Sequence, residues 1–383
     1  MGGGEDNYLT IYALEDGLQA KLSGNTVSYS IDSGNTWTSL SSNTYTPTVN
    51  NGETIMFKGN LIPSSSRGVG RFSINKRCNL MGNCMSLLYG DDAASNNDLS
   101  GKNYAFRYLF SGCTTIVEVS ETFLPATTLA SCCYEGMFQG CTSLITAPKL
   151  PATKLAVYCY SYMFEDCTSL TTAPELPATY LYSGCYGRMF KGCTSLVTAP
   201  ELPATTLATG CYNSMFYSCS GLTTAPELPA TTLADSCYSY MFYKCTSLTT
   251  APKLPATTLV YSCYGYMFRD CTSLVTAPSA LPATTLANYC YEWMFSSCTS
   301  LVTAPELPAT TLARSCYFYM FYNCSKLNYI KMLATDVSAD YCLNYWVSGV
   351  SSTGTFVKNP AMTSLPTGDS GIPSGWTVLN GSE

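Results

Sequence analysis

Residues 228–253 read LPATTLADSCYSYMFYKCTSLTTAPK, and units of the same pattern fill the middle of the chain. This 26-residue unit begins at Leu124, recurs eight times in near-identical form and ends in a degenerate copy near Met332. A methionine that precedes a phenylalanine marks the register of the eight copies: Met137, Met163, Met189, Met215, Met241, Met267, Met294 and Met320. One such unit cannot bury its own apolar face, so the repetition predicts a solenoid of stacked coils.

The spacing inside each unit predicts its conformation. The constant Cys, Tyr, Met, Phe and Cys fall at offsets 0, 1, 4, 5 and 8, which favours a short helical turn with these side chains facing inward. The Thr- and Val-rich stretch that follows, such as Leu196 to Ala199, predicts a short strand that ends before proline. Strands stacked at about 4.8 Å would form a parallel sheet along the array.

The repeated pattern resembles a known family. Phe164, Cys167, Leu170 and Pro174 show its spacing, and the chain is similar over roughly residues 104–332 to the BspA-like leucine-rich repeats. Those repeats are widespread in surface proteins of gut Bacteroidetes and occur in phages of these bacteria. The copies here are a few residues longer than the usual family unit, and Met replaces the customary Ala before Phe. The resemblance implies a leucine-rich repeat solenoid.

The segments that flank the array predict smaller modules. We expect an N-terminal β-sandwich module over 1–77, a cap with a degenerate repeat over 78–123, the leucine-rich repeat array over 124–332 and a C-terminal β cap over 333–383. The cap's closing Gly-Ile-Pro-Ser-Gly-Trp suits a β-hairpin. The sandwich strands are predicted at Tyr8 to Leu14, Leu18 to Leu22, Val27 to Ile31, Trp37 to Leu40, Thr54 to Lys58 and Arg71 to Ile74.

Composition excludes several classes of partner. The net charge is -6, only 11% of residues are charged and no basic patch occurs, which argues against nucleic acid. No apolar run is long enough to span a bilayer, and Met1 to Asp6 lack the pattern of a secretory signal. We therefore expect no membrane insertion. Either a signal segment was removed or export does not use the secretory route, and we expect an extracellular or virion-associated protein.

Cysteine is abundant, with 21 residues, and sixteen of them form pairs eight residues apart in the repeats. Buried thiols that act as small apolar fillers are the favoured interpretation, and pairing between neighbouring coils stays an alternative. Zinc is not expected, because the chain has no histidine and the spacing fits no zinc motif. The acidic stretch from Asp91 to Asp98 fits a solvated loop better than a calcium site, because it lacks the ligand spacing of a calcium-binding loop. We predict no metal and no cofactor.

Six positions per copy change almost every time, in contrast to the constant scaffold. Their Tyr, Ser, Gly and Asn content is typical of binding loops, so this face is interpreted as a recognition surface for a cell-surface protein or a glycan. The alternative is that the aromatic rings fill grooves between coils. The twelve candidate ligand-binding residues are Tyr158, Tyr162, Tyr217, Tyr240, Tyr243, Tyr261, Tyr266, Tyr289, Trp293, Phe318, Tyr319 and Tyr322.

Catalysis is disfavoured. Without histidine a Cys or Ser nucleophile lacks its commonest base, and the repeated Cys-Tyr units give equivalent environments instead of one unique pocket. The sequence predicts no catalytic residue and a non-enzymatic recognition or adhesion protein, either a phage receptor-binding protein or a bacterial surface protein. The alternative is a structural spacer or virion assembly protein without its own ligand. Under either hypothesis we expect a homo-oligomer or attachment to a larger assembly through the N-terminal module.

Overall fold

The computed structural model describes residues 7–65 and 67–381. Met1 to Asp6, where the sequence lacks a secretory pattern, lie outside the described residues. The chain divides into two compact units: unit 1 comprises Met1–Tyr180 with Arg188–Leu196, and unit 2 comprises Leu181–Gly187 with Val197–Glu383. Within the described residues, no helix is both long and apolar enough to cross a bilayer.

Unit 1 begins with two sheets. Its strands are β1 (Leu9–Ala13), β2 (Ala20–Ser23), β3 (Val27–Ser30), β4 (Thr38–Leu40), β5 (Thr54–Lys58), β6 (Arg71–Ile74), β7 (Cys78–Met81) and β8 (Ile116–Val119). One sheet has the order β4-β3-β5-β1-β7-β8, and the other pairs β2 with β6. All pairs are antiparallel except β7 with β8. The six strands expected before residue 77 are confirmed, and the larger sheet continues past that residue through β7.

The two sheets meet at aromatic side chains. Phe57 on β5 packs edge-on against Phe72 on β6, with ring centroids 5.0 Å apart. A single helical turn, α1 (Ser86–Tyr89), and a 3-10 turn (Gly90–Ser95) follow β7. Asp91 in the acidic loop accepts hydrogen bonds from Tyr8 Oη and Lys58 Nζ, both at 2.7 Å. Among the described residues, no three His, Cys, Asp or Glu side chains lie together as metal ligands would.

The segment between the paired cysteines is a series of tight turns, so the helical-turn prediction is wrong. Every fourth residue has a left-handed backbone: φ is 54° at Tyr158, 60° at Tyr162 and 59° at Asp166. An α-helix cannot continue through such a residue. Each tight turn contributes one pair of inward-facing side chains, so the constant residues recur with a period of four. The predicted side chains are therefore buried, although the backbone forms tight turns and not a helical turn.

Backbone hydrogen bonds explain this conformation. Alternate amides bond within their own turn, as when Met163 N–H donates to Tyr160 O at 3.2 Å. The amides between them bond to the next coil, as when Phe164 N–H donates to Met189 O at 2.9 Å. The turns of one coil therefore form a ladder with those of the next, and both sets of amides have hydrogen-bond acceptors.

The other side of each coil is more open than the sequence predicts. In the described part of the chain no strand lies between Val119 and Tyr329. The expected strand at Leu196 to Ala199 is reduced to a single parallel bridge between Thr198 and Thr224. Proline recurs every few residues in this stretch and removes backbone donors, so a longer parallel ladder does not form.

Unit 2 ends in a parallel three-stranded sheet. Its strands are β9 (Tyr329–Met332), β10 (Thr355–Lys358) and β11 (Thr377–Asn380), and β10 lies in the middle. Both pairs are parallel, so the predicted closing hairpin is wrong. A parallel pair requires a connection that returns to the same end of the sheet, and one further coil separates each strand from the next.

The core of each unit consists of columns of identical side chains. In unit 2, the Phe268 ring stacks between Phe242 and Phe295 with centroids 5.5 Å apart on both sides. Tyr264 stacks at 5.7 Å on Tyr238 and on Tyr291, and all of these rings are buried. The buried thiol of Cys271 donates to Phe242 O at 3.0 Å and forms no disulfide. Burial raises its pKa, so it stays a neutral donor between coils.

Candidate functional site

Aromatic side chains form a column on the surface of unit 2. They occupy the third position after the first cysteine of a pair or, in the last coil, after the single Cys342. We call them the outer column: Tyr240, Tyr266, Trp293, Tyr319 and Tyr345. Successive ring centroids lie 4.4, 6.0, 4.1 and 5.2 Å apart. The first three pairs are nearly parallel, at 11°, 13° and 8°. Side chains that change from copy to copy thus form one continuous stack.

The turn geometry sets this alignment. Every residue of the outer column has a left-handed backbone, with φ between 50° and 59°. Such values are uncommon for bulky side chains. Each is held by a bond to the next coil, as when Tyr266 N–H donates to Glu292 O and Trp293 N–H to Phe318 O, both at 2.8 Å. Identical turns therefore project these rings in register.

A second column runs beside the first, at the sixth position after the same cysteine. Tyr217 and Tyr243 lie 4.6 Å apart, and Arg269 occupies the corresponding place in the following coil. Tyr322, two coils further on, contacts Trp293 at 5.9 Å and Tyr319 at 5.2 Å. We call the outer column together with these four residues the aromatic strip.

Arg269 lies at the centre of the aromatic strip. Its guanidinium lies over the Trp293 ring at 4.3 Å and approaches Tyr243 at 5.7 Å and Tyr266 at 5.8 Å. The carboxylate of Asp270 is 3.9 Å from Arg269 Nε, too far for a hydrogen bond. Cation–π attraction therefore holds the guanidinium over the Trp293 ring.

Partial burial alters the electrostatics of the strip. It raises the pKa of Tyr240, Tyr243 and Tyr266, so the phenols stay neutral donors near neutral pH. Burial also raises the pKa of Glu292, the residue before Trp293, to about 7, partly opposed by a hydrogen bond with Ser262. A carboxyl group next to the strip in sequence therefore titrates near neutral pH.

The chemistry that the strip can offer follows from its stacking. Trp293 has Tyr319 on one face and Arg269 with Tyr266 on the other, and Tyr240 and Tyr266 cover each other. Ring edges, phenol hydroxyls and one guanidinium therefore remain for an external partner. These groups suit hydrogen bonding and edge-on packing.

The structure gathers most of the predicted residues and separates the others. Phe318 joins the strip by contacting Tyr319 at 4.6 Å. Tyr261 and Tyr289 form a separate edge-on pair at 5.5 Å. Tyr158 and Tyr162 lie in unit 1, where Arg188 is placed over the Tyr162 ring at 5.4 Å.

Two members of the strip were missed by the sequence reasoning. Tyr345 follows Tyr319 by one repeat step, and Tyr317 N–H donates to Cys342 O at 3.0 Å in this additional degenerate coil. Arg269 occupies the same column as Tyr243. Aligning the copies column by column and extending the 26-residue step beyond Met332 would have identified both.

The sequence also matches a family profile. The BspA type leucine rich repeat region matches in six copies over residues 104–223, 162–294 and 235–345, more than half of the chain. The chain therefore belongs to the BspA-type leucine-rich repeat proteins and has a leucine-rich repeat fold. This membership is consistent with a non-enzymatic protein-binding scaffold at a cell surface.

Comparison with solved structures gives a weaker likeness. A leucine-rich repeat protein from Bacteroides ovatus ATCC 8483 is 15% identical in sequence, and the match covers 71% of this chain and 86% of that one. Its TM-score of 0.28 is too low to support a further argument. A comparison with curated proteins gives no match.

Proposed function

We propose that this chain is a non-enzymatic recognition or adhesion protein that binds a cell-surface protein or glycan through the aromatic strip of unit 2. The observation that carries this proposal is the column of five rings at changing positions, four of them stacked nearly parallel, with Arg269 among them. Tyrosine, tryptophan and arginine are the side chains enriched at binding hot spots. A regular scaffold holds them rigidly, which lowers the entropy lost on binding.

Membership of the family supports a proposal for the setting. We place the protein on a bacterial surface or on a phage particle, where a receptor-binding or tail-fibre role fits an array of about nine coils. In this proposal the N-terminal sheets form a β-sandwich mount that attaches the array to a larger assembly. The C-terminal parallel sheet serves as the β cap, because it covers apolar core at the end of unit 2.

A binding screen tests the proposal. The folded protein is applied to glycan arrays and to intact gut bacterial cells, beside the triple variant Tyr240→Ala, Tyr266→Ala and Trp293→Ala. We expect selective binding that weakens by about 30-fold or more in the variant, the range of a hot-spot cluster. The matched control replaces Tyr158 and Tyr162 of unit 1 and should bind as the native protein does.

A structural spacer is the second candidate. It is favoured by one observation: the stacked rings cover one another's faces, as groove-filling side chains would. Under this hypothesis the protein binds neither glycans nor cells, and the triple variant changes oligomer size in light scattering. Unchanged binding and unchanged assembly in a folded triple variant would remove the aromatic strip from both hypotheses.

A further inference from the structure

A groove separates two neighbouring coils of unit 2 along their Thr- and Pro-rich segments, whereas the aromatic strip lies on the turn segments. It lies between residues 223–229 and 249–255 and has a volume of about 630 Å³. The equivalent groove one coil earlier, between residues 199–203 and 226–229, has a volume of about 260 Å³. The repeated sequence is nearly the same at both places, so a local difference in coil packing must account for the larger volume.

Missing backbone hydrogen bonds coincide with the larger groove. In the described structure, no backbone hydrogen bond or bridge joins residues 223–233 to residues 249–259. The next pair of coils is joined by Ala251 N–H to Thr276 O at 2.9 Å and Val275 N–H to Thr249 O at 3.0 Å. The bonds missing from the groove are their equivalents, from Ala225 N–H and Thr249 N–H.

The separation is confined to this side of the coils. On the turn side the same two coils stay joined, because Tyr212 N–H donates to Cys237 O at 3.0 Å and Phe216 N–H to Met241 O at 2.9 Å. The columns of core rings continue past this point, with Phe216 stacked on Phe242 at 5.7 Å. The gap is therefore a slot along an otherwise intact stack.

The charges at the slot are complementary to a dipolar occupant. Glu227 lies on one wall and Lys253 on the other, both exposed and not joined by an ion pair in the described structure. Lysine and glutamate of neighbouring coils do pair elsewhere in this column, as Lys331 does with Glu306 at 3.0 Å. At the slot both charged groups are available to an external partner. Thr and Pro residues line the space between them.

We propose that this slot binds an extended peptide segment that carries one basic and one acidic side chain. An extended chain has donors and acceptors along both edges, so it can satisfy the facing backbones as strand addition does. Its basic side chain lies beside Glu227 and its acidic side chain beside Lys253. This site is independent of the aromatic strip.

Labelled peptides test the proposal by fluorescence anisotropy with the full-length protein. The probes are extended Thr/Val peptides that contain Lys and Glu, two Lys or two Glu, and a Lys/Glu peptide N-methylated at alternate amides. The native protein should bind the Lys/Glu peptide best, and N-methylation should weaken binding by about tenfold or more because several backbone bonds are lost. Equal binding of the N-methylated peptide, or no binding of any probe, overturns the proposal.

Charge reversal at the slot gives the specificity test. Lys253→Glu should weaken Lys/Glu binding by roughly two- to fivefold and shift the preference to the two-Lys peptide, the scale of an exposed ion pair. Glu201→Lys, beside the smaller groove, is the matched control and should change neither. An unchanged preference in Lys253→Glu contradicts the assignment. The assignment is also contradicted if light scattering shows that the native protein is a dimer and that the peptide does not dissociate it.

Amide exchange tests the slot without a ligand. The amide protons of Thr249 and Ala225 should exchange faster than those of Val275 and Ala251, whose bonds to the next coil are present. The Lys/Glu peptide should slow exchange at Thr249 and Ala225. Equal exchange at the four sites in the free protein would mean that the coils close in solution, which overturns the proposal.

Discussion

Unit 1 and unit 2 carry different surfaces on the same sequence of turns. At the sixth position after the first cysteine, unit 1 has Gln139, Glu165 and Lys191, joined by hydrogen bonds of 2.6 and 2.8 Å. At the corresponding position unit 2 has Tyr217, Tyr243 and Arg269, joined by ring contacts. The backbone and the core are shared, so the outer columns can differ without altering the fold. Any function that depends on aromatic contacts is therefore expected in unit 2.

The largest expected effect concerns the shared core. Phe268→Ala in unit 2 and Phe164→Ala in unit 1 each remove a fully buried ring from the phenylalanine column. Each should lower the free energy of unfolding by about 3–5 kcal/mol, the range for a buried Phe to Ala change. Chemical denaturation of both variants checks this. A loss of stability in only one unit would show that the cores are not equivalent.

The repeat explains why this core could be predicted from sequence and the backbone could not. Offsets of 0, 1, 4, 5 and 8 identify the buried side chains whether the period is 3.6 or 4, because nine residues are too few to separate the two. The left-handed backbone at Tyr266 or Trp293 could not be predicted from the sequence, because Tyr and Trp rarely adopt this conformation.

Most aromatic residues of the candidate site were identified from the sequence, but their organisation was not. Changing aromatic positions identified Tyr240, Tyr266 and Trp293, whereas their stacking depends on coil spacing, which no single copy contains. The slot between residues 223–229 and 249–255 was not predicted from the sequence either. Its walls belong to a part of the repeat that is constant except at the position of Glu227 and Lys253, and this part by itself suggests a scaffold role.

The next effect tests the polar column of unit 1. Lys191 Nζ lies 2.8 Å from Glu165 Oε1, and the Glu165 side chain is only 6% exposed. Lys191→Ala should cost about 1–3 kcal/mol of stability, because it leaves a buried carboxylate with less compensation. Lys149→Ala removes an ion pair with Glu121 in which both side chains are about 70% exposed, and should cost less than about 0.5 kcal/mol. Equal effects in denaturation experiments would contradict this assignment.

A smaller effect tests the aromatic column of unit 2. Trp293 and Tyr319 stack at 4.1 Å. A double-mutant cycle with Trp293→Ala and Tyr319→Ala should give a coupling energy of about 0.5–1.5 kcal/mol, the range for an aromatic pair. The cycle is measured by urea denaturation, with Trp293 and Tyr158 as a pair that should not couple. Zero coupling between Trp293 and Tyr319 would mean that the stack is not maintained in solution.

The smallest expected effect is a pH dependence of unit 2. Burial raises the pKa of Glu292 to about 7, so the folded protein holds this proton more tightly than the unfolded chain does. The contribution of Glu292 to stability should therefore be greatest below the ordinary carboxyl pKa and fall as pH rises from about 4.5 to about 7. Because the side chain is partly exposed, we expect a loss of less than about 1 kcal/mol.

The variant Glu292→Gln isolates this contribution. The chain has no histidine, so no imidazole masks a carboxyl that titrates near pH 7. Denaturation midpoints between pH 5 and pH 8, a range chosen to bracket the shifted pKa, should fall less in Glu292→Gln than in the native protein. Identical slopes would mean that the Glu292 carboxyl is hydrated in solution and is not packed beside Ser262 and Gly265 as it is in the structure.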